Sequence, residues 1–160
     1  MKFLTTITGS LLMLFTTVGS TYVYADVAPA DYRQKISDKA WEENLRQQNF
    51  QDREIIEGAE QNLIEVKAPY TAEDATIVPI SIHTKMPQSP DRYIKKMHIF
   101  VDKNPLPLVG LFEFTPDSGK ADLAMRIRVD TFSYVRAIAE LNTGELYMAK
   151  SFVRAKGACS

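Results

Sequence analysis

The spacing of apolar and polar positions divides the chain into a helix-like segment and a longer β-like segment. From residue 32 to 58 apolar residues are sparse, and Trp41 and Leu45 stand four positions apart, so they share one face of a helix. Ser37 or Asp38 is a suitable amino-terminal cap for that helix. The pattern predicts a helix that packs Trp41 against a sheet.

Beyond Gly58 the pattern alternates with the period of two that is typical of β-strands. Strands are predicted at residues 62–67, 76–83, 96–102, 109–114, 123–129, 135–141 and 146–153. Pro79 lies inside the second of them and predicts an edge strand or a bulge. Asn142, Thr143 and Gly144 predict a short hairpin turn between the last two strands. Seven short strands separated by turns predict an all-β sandwich.

Residues 1–25 have the features of a secretory signal peptide. Lys2 provides the positive start, an apolar stretch follows from about Leu11 to Val18, and Val-Tyr-Ala at residues 23–25 resembles a cleavage site. A membrane anchor is the alternative, but the apolar run is short for about 30 Å of hydrocarbon. We expect cleavage near Ala25 and export to an oxidising compartment, the bacterial periplasm.

Charge and cysteine content exclude several classes of protein. The 160 residues include 19 basic and 20 acidic side chains, a net charge of -1, which disfavours a nucleic-acid binder with a basic surface. The single cysteine excludes an intramolecular disulfide, a cysteine-based zinc cluster and a thiol-ligated iron–sulfur centre.

Four side chains offer the ligand types of a copper carrier. His83 and His98 lie on predicted strands, and Met86 and Met97 lie near them in the sequence. Their spacing matches no metal-binding motif, and histidines on strands are more often sheet residues. No metal site is therefore predicted, and copper carriage is kept as an alternative function.

The single cysteine, Cys159, is the penultimate residue and follows Gly157 and Ala158. These small residues lie beyond the last predicted strand, which predicts a flexible tip with an exposed thiol. Lys156 and Arg154 favour the reactive thiolate, whereas a terminal carboxylate one residue further on opposes it. Composition alone is equally compatible with a functional cysteine and with an incidental one.

A family resemblance covers most of the chain from Trp41 onward. The residues that carry it are 68–70, 72–75, 78–80, 94–105, 107–108, 126–129, 135–140, 149–155 and 157–159. In these segments the chain resembles SoxY, the sulfur-carrier subunit of the periplasmic thiosulfate-oxidising (Sox) system. It resembles more closely the SoxYZ-like carrier proteins that are associated with quinoprotein dehydrogenases.

The resemblance implies an immunoglobulin-like β-sandwich with an N-terminal helical lead-in and a flexible C-terminal arm. It divides the chain into a signal peptide at 1–25, a lead-in at 26–58, a sandwich at 59–154 and an arm at 155–160. Cys159 would hold sulfur intermediates covalently and present them to partner enzymes. The implied arm residues are Lys156, Gly157, Ala158 and Ser160. The chain would be a carrier rather than an enzyme, with no cofactor beyond the bound sulfur species.

The resemblance also implies partners. They are a SoxZ-like subunit or domain and proteins of a sulfur-oxidising or quinoprotein dehydrogenase system. The dehydrogenase-associated relatives usually fuse both domains, so this chain either pairs with a separate SoxZ-like subunit or derives from a fused ancestor. Ala158 and Ser160 stand where SoxY arms have glycines beside the cysteine, which implies a stiffer arm.

Two other functions remain as alternatives. One is a periplasmic interaction module in which Cys159 is unused. The other is the copper carrier that uses His83, His98, Met86 and Met97.

Overall fold

A computed structural model describes residues 30–156. The signal peptide predicted at 1–25 and the arm residues from 157 to 160, including Cys159, lie outside this part. The helical segment comprises α1 (Ala30–Ala40), a π-helical turn (Trp41–Leu45) and α2 (Arg46–Phe50). The strands are β1 (Ile55–Ile56), β2 (Ile64–Lys67), β3 (Thr71–Ala72), β4 (Val78–Thr84), β5 (Ile94–Val101), β6 (Leu108–Glu113), β7 (Leu123–Ile127), β8 (Phe132–Leu141) and β9 (Leu146–Ala155).

These strands form two sheets. The larger has the order β1-β9-β8-β5-β6, with β3 pairing with β9 further along the same strand, and the smaller has the order β2-β4-β7. Strands β5, β6, β8 and β9 are antiparallel neighbours, whereas the short β1 and β3 run parallel to β9. The all-β prediction is confirmed, and the immunoglobulin-like topology stays a prediction.

The main hydrophobic core lies between the two sheets. Val78, Ile80 and Ile82 of β4 are buried in it because alternate side chains of a strand point to one face. Ile99 and Val135 enter the same core from the larger sheet.

The helical segment covers the opposite face of the larger sheet and makes a third layer. Trp41 is fully buried there, with its ring centroid 5.5 Å from Phe100 of β5 and 6.1 Å from Phe50. Ile138 and Met148 complete this second core. The prediction that a helix packs Trp41 against the sheet is confirmed.

The π-helical turn explains how Phe50 reaches the same core as Trp41. In a regular α-helix, residues nine positions apart lie on opposite sides, at about 100° per residue. The N–H of Arg46 instead bonds the carbonyl of Trp41, five residues back, so the wide turn takes up one extra residue. Leu45 and Phe50 therefore both face the sheet.

The predicted helix cap is wrong. The helix already includes Ala30, so Ser37 and Asp38 lie in its interior. Ser37 is fully buried and bonds the sheet: its hydroxyl donates to Asp102 at 2.8 Å and accepts the N–H of Tyr134 at 2.8 Å. A polar residue on the buried face of a helix needs such partners.

A buried arginine completes this polar cluster between helix and sheet. Arg136 of β8 is almost fully buried and donates from Nε to the carboxylate of Asp102 at 2.9 Å. Its Nη2 donates to Asp38 at 2.6 Å, and its guanidinium lies 4.9 Å from the centroid of the Trp41 ring. Lys150 donates to the same carboxylate of Asp38 at 2.7 Å.

The two carboxylates of the cluster differ in acidity. Burial raises the pKa of Asp102 to about 6, against the opposing effect of Arg136 and Ser37. Burial also acts to raise the pKa of Asp38, but hydrogen bonds and charges from Lys150 and Arg136 outweigh it and lower that pKa. Ionising Asp102 in the folded protein therefore costs more free energy than ionising an exposed aspartate.

The seven predicted strands are confirmed. The edge position or bulge predicted from Pro79 is wrong as to the edge, and two short strands were not predicted. Pro79 lies in the central strand of the smaller sheet, not at an edge, but β2 pairs only from Ser81 onward, so one side of β4 is free at Pro79. The hairpin at 142–144 joins β8 to β9, with Gly144 at a φ of 94°. The two-residue strands β1 and β3 were not predicted because such short strands show no alternation.

The ion pair gives a first testable prediction. At pH 7, Arg136→Met leaves Asp102 buried without a counter-charge and is expected to lower the free energy of unfolding by about 3–5 kcal/mol in a urea titration. The double variant Asp102→Leu with Arg136→Met removes both charges and is expected to be more stable than the single variant. A double variant at least as unstable as Arg136→Met would contradict this account.

The raised pKa gives a second prediction. The folded state binds the Asp102 proton more tightly than the unfolded state, so this residue contributes stability below about pH 4 that is lost as pH rises through 6. Unfolding free energies of the wild type and Asp102→Asn are compared between pH 4 and 7. The wild type should lose about 2–3 kcal/mol relative to the variant over this range. Parallel pH profiles would contradict the assignment.

Candidate functional site

The structure places the carboxyl end of β9 at a point where three backbone segments meet. Arg154 donates its N–H to Tyr70 at 2.7 Å, Ala155 donates to Thr131 at 2.6 Å, and Lys156 donates to Ala72 at 2.8 Å. Because β8 and β3 flank β9, its last residues have strand partners on both sides. The chain is therefore held by backbone hydrogen bonds up to the last described residue.

The side chain of Lys156 also has a partner. Its ammonium lies 2.9 Å from a carboxylate oxygen of Glu73, and both side chains are more than half exposed (58% and 80%). Exposed pairs of this kind contribute little to stability. The pair nevertheless places a negative charge beside Lys156 that the sequence pattern did not reveal.

An aromatic cluster lies beside the same end of β9. Phe152 packs 5.2 Å from Tyr134 and 5.9 Å from Tyr70, measured between ring centroids. Tyr70 is half exposed, at 52%. Burial raises the pKa of Tyr134, and the negative charge of Asp38 acts in the same direction. The surface beside the end of β9 is thus partly aromatic and is built on rigid strands.

The predicted arm residues divide between the described and the undescribed part. Lys156 lies at the end of β9 as stated above. Gly157, Ala158, Cys159 and Ser160 lie outside the described residues, so their placement stays a prediction.

The structure does not bring the four copper-carrier candidates together. His83 is exposed on the outer side of β4, opposite the buried Ile82, whereas His98 lies under Phe50 on the outer side of β5. Met97 points into the core between the sheets, and Met86 packs against the edge of that core. The two histidines therefore lie on opposite outer faces. Within residues 30–156, no three His, Cys, Asp or Glu side chains come close enough to hold a metal ion.

His98 has a structural environment instead. Its Nε2 lies 3.6 Å from Glu140, and its ring centroid lies 5.1 Å from that of Phe50. Burial lowers the pKa of His98 despite the opposing effect of Glu140, so the ring is neutral at pH 7.

The sequence pattern missed the buried ion pair of Arg136 and Asp102. One signal for it is present in β8, where Arg136 and Ile138 alternate with Val135 and Ala137. A strand that is apolar on both sides is buried on both faces, so an arginine within it requires a buried acceptor.

The family model of the sulfur oxidation protein SoxY matches residues 46–159, most of the chain. The chain belongs to the SoxY family, a family of sulfur-oxidation carrier proteins. Among curated proteins, no sequence matches.

Solved structures with a similar fold include superoxide reductases. A single-residue variant of superoxide reductase (neelaredoxin) from Ignicoccus hospitalis aligns with a TM-score of 0.53 and 15% identity, covering 74% of this chain and 91% of that chain. A Thermotoga maritima protein, provisionally assigned as a superoxide reductase, aligns with a TM-score of 0.56 and 14% identity, covering 64% and 95%. Likeness at this identity concerns the fold alone.

The anchoring at Lys156 gives a third prediction. Lys156→Ala removes only the exposed ion pair with Glu73 and should change the free energy of unfolding by less than about 1 kcal/mol. Lys156→Pro also removes the N–H that Ala72 accepts and should cost about 1–2 kcal/mol more. Urea titrations of the two variants measure the difference. Equal effects would show that the backbone bond does not hold this end of the chain.

Proposed function

We propose that the protein is a periplasmic carrier that holds sulfur intermediates covalently on Cys159 and presents them to partner enzymes. The observation that carries this proposal is the extent of the family match, which runs through the domain and includes Cys159. The anchored end of β9 supports it, since Lys156 is held three residues before the cysteine.

Covalent geometry limits how far such a cysteine could travel. Three residues span at most about 10–11 Å, so the Cα of Cys159 stays within that distance of the Cα of Lys156. A partner enzyme would therefore have to approach the end of β9 closely. Tyr70, Glu73 and Arg154 are exposed side chains near Lys156 that such a partner could contact.

The proposed chemistry requires a thiolate, which is the nucleophilic form of cysteine. The exposed guanidinium of Arg154 favours the thiolate at short range. Lys156 favours the thiolate less than an unpaired lysine would, because its ammonium lies beside the carboxylate of Glu73.

The proposal includes the immunoglobulin-like topology, the cleaved signal peptide and a SoxZ-like partner subunit. It also includes either a sulfur-oxidising or a quinoprotein dehydrogenase system as the source of the cargo. The resemblance of the chain to SoxY and to SoxYZ-like carriers supports these points. No helix within residues 30–156 is long and apolar enough to cross a membrane.

The mass of the mature protein tests carriage. Protein is purified from its host without reductant, and its intact mass and peptide masses are measured before and after reduction. We expect a reducible sulfur adduct, such as a persulfide or a thiosulfonate, on the peptide that contains Cys159. Cys159→Ala should lack the adduct, whereas the control Ser160→Ala should retain it.

An unmodified thiol that also resists loading by a competent sulfur-transfer enzyme would contradict carriage. Binding of a SoxZ-like subunit to this protein tests the partner assignment separately from sulfur carriage. If Cys159→Ala still binds this subunit but carries no sulfur, both parts of the proposal are supported. Binding of the subunit together with an unloadable wild-type thiol would instead indicate an interaction module.

A further inference from the structure

One leucine is almost fully exposed in the loop that joins β5 to β6. Leu106 is 82% exposed, more than any other large apolar side chain within residues 30–156. It stands between Pro105 and Pro107. A single exposed leucine is ordinary on a protein surface. What distinguishes Leu106 is how firmly its loop is held and where the loop lies.

The loop that presents this leucine is fixed by hydrogen bonds. Val101 donates its N–H to the carbonyl of Pro107 at 2.8 Å, which closes the loop at its base. Asn104 donates from Nδ2 to the carbonyl of Arg128 at 2.8 Å, and its Oδ1 accepts the N–H of Asp130 at 3.1 Å. The prolines on both sides of the leucine restrict φ as well. A side chain on such a loop costs little backbone entropy to bury against a partner.

The loop lies at the same end of the larger sheet as the carboxyl end of β9. Lys103 donates its N–H to Oγ of Ser133 at 3.1 Å, and Ser133 pairs with Val153 of β9. Strands β5 and β6, which the loop joins, lie two and three strands away from β9. At the usual strand spacing, Leu106 is therefore about 10–14 Å to the side of β9.

Two exposed cations accompany Leu106 at this end. Lys103 belongs to the same loop, and Arg154 lies at the end of β9. Neither takes part in an ion pair with another described residue. Asp102, which precedes Lys103, is buried against Arg136 and does not neutralise it. The loop therefore presents an apolar side chain next to positive charge.

The proposed carrier function requires an enzyme to approach this end of the sheet. The Cα of Cys159 stays within about 10–11 Å of the Cα of Lys156, so the cysteine cannot reach a distant active site. An interface of standard size covers about 800 Å² on each partner, which is a patch about 30 Å wide. An enzyme centred on the end of β9 therefore also covers Leu106.

We propose that Leu106 is the apolar anchor by which the enzyme that loads sulfur onto Cys159 docks on this protein. This inference rests on the carrier function proposed above. The docking surface of that enzyme has an apolar pocket that takes the leucine side chain, and carboxylates at its rim that face Lys103 and Arg154. A few anchors buried in pockets carry most of the affinity of an interface, whereas charges at the rim mainly set the association rate.

Rates of loading test the anchor. The enzyme source is a periplasmic extract of a host strain that lacks this protein, supplied with thiosulfate. Mature protein is added in reduced form, and the adduct on Cys159 is followed by intact mass at increasing carrier concentration. Leu106→Asp should need about ten-fold more carrier for the half-maximal rate, with the same plateau. Leu106→Met retains an apolar side chain of similar volume and should behave as the wild type does.

A matched pair of lysine variants tests the charge. Lys103→Glu should raise the half-maximal concentration about three-fold at low salt, and high salt should abolish the difference. The control Lys95→Glu changes an exposed lysine near the opposite end of β5 and should have no effect. Circular dichroism verifies that each variant is folded. Reaction of Cys159 with a small disulfide reagent verifies that the thiol itself is unchanged.

The outcomes separate docking from carriage. If the wild type is loaded and Leu106→Asp follows the same concentration dependence, the docking proposal is overturned and carriage stands. A lower plateau with an unchanged half-maximal concentration would also overturn it, because loss of docking acts on the concentration needed. Loss of binding to a SoxZ-like subunit in Leu106→Asp would assign the leucine to that subunit instead. A wild-type thiol that the extract cannot load would contradict carriage and docking together.

Discussion

The two-sided pairing of β9 is the constraint on which the rest of the structure depends. This strand bonds β8 along its whole length on one side and the short parallel strands β1 and β3 on the other. Residues 146–147 and 154–155 therefore have strand partners on both sides, so the carboxyl end of β9 is paired on both sides. A carrier needs this property, since the position of its terminal segment relative to the domain determines what it can reach.

The helical layer is attached to the same sheet by two different kinds of interaction. Trp41, Leu45 and Phe50 bury apolar surface, which is favourable but has little directional preference. Ser37 and Asp38 add hydrogen bonds and charges to Asp102, Arg136 and Lys150, which set the position of the helix along β8 and β9. The buried pair of Arg136 and Asp102 is costly to ionise, so we assign it to orientation of the helix rather than to net stability.

Sequence patterns identified the long elements and missed those that depend on tertiary contacts. The alternation in β8 and β9 predicted a hairpin, because both strands are long and Asn142, Thr143 and Gly144 lie between them; Gly144 adopts a positive φ in this turn. The prediction of a helix cap at Ser37 or Asp38 was wrong, because the polar side chains that cap helices are also found as buried hydrogen-bond partners inside them. The strands β1 and β3 exist only because β9 offers them a partner, and nothing in two residues alone could show this.

The candidate site was predictable to a similar extent. The position of Cys159 after small residues suggested a carrier thiol, and the family match includes that residue. The sequence assigned Lys156 as a cation available to the thiol, whereas the structure shows that Glu73 shares its charge. The histidine and methionine candidates failed because β4 and β5 lie in different sheets, which spacing alone does not reveal, so His83 and His98 lie on opposite outer faces.

The central claim is that the domain holds the chain rigidly up to Lys156 and so defines the origin of the carrier segment. Hydrogen exchange of the backbone amides of Arg154, Ala155 and Lys156 tests it most directly. The account expects protection similar to that of Ile138 in the middle of β8, because all three amides donate to backbone carbonyl groups of neighbouring segments, those of Tyr70, Thr131 and Ala72. Exchange of these amides at the rate of an unstructured peptide would contradict it.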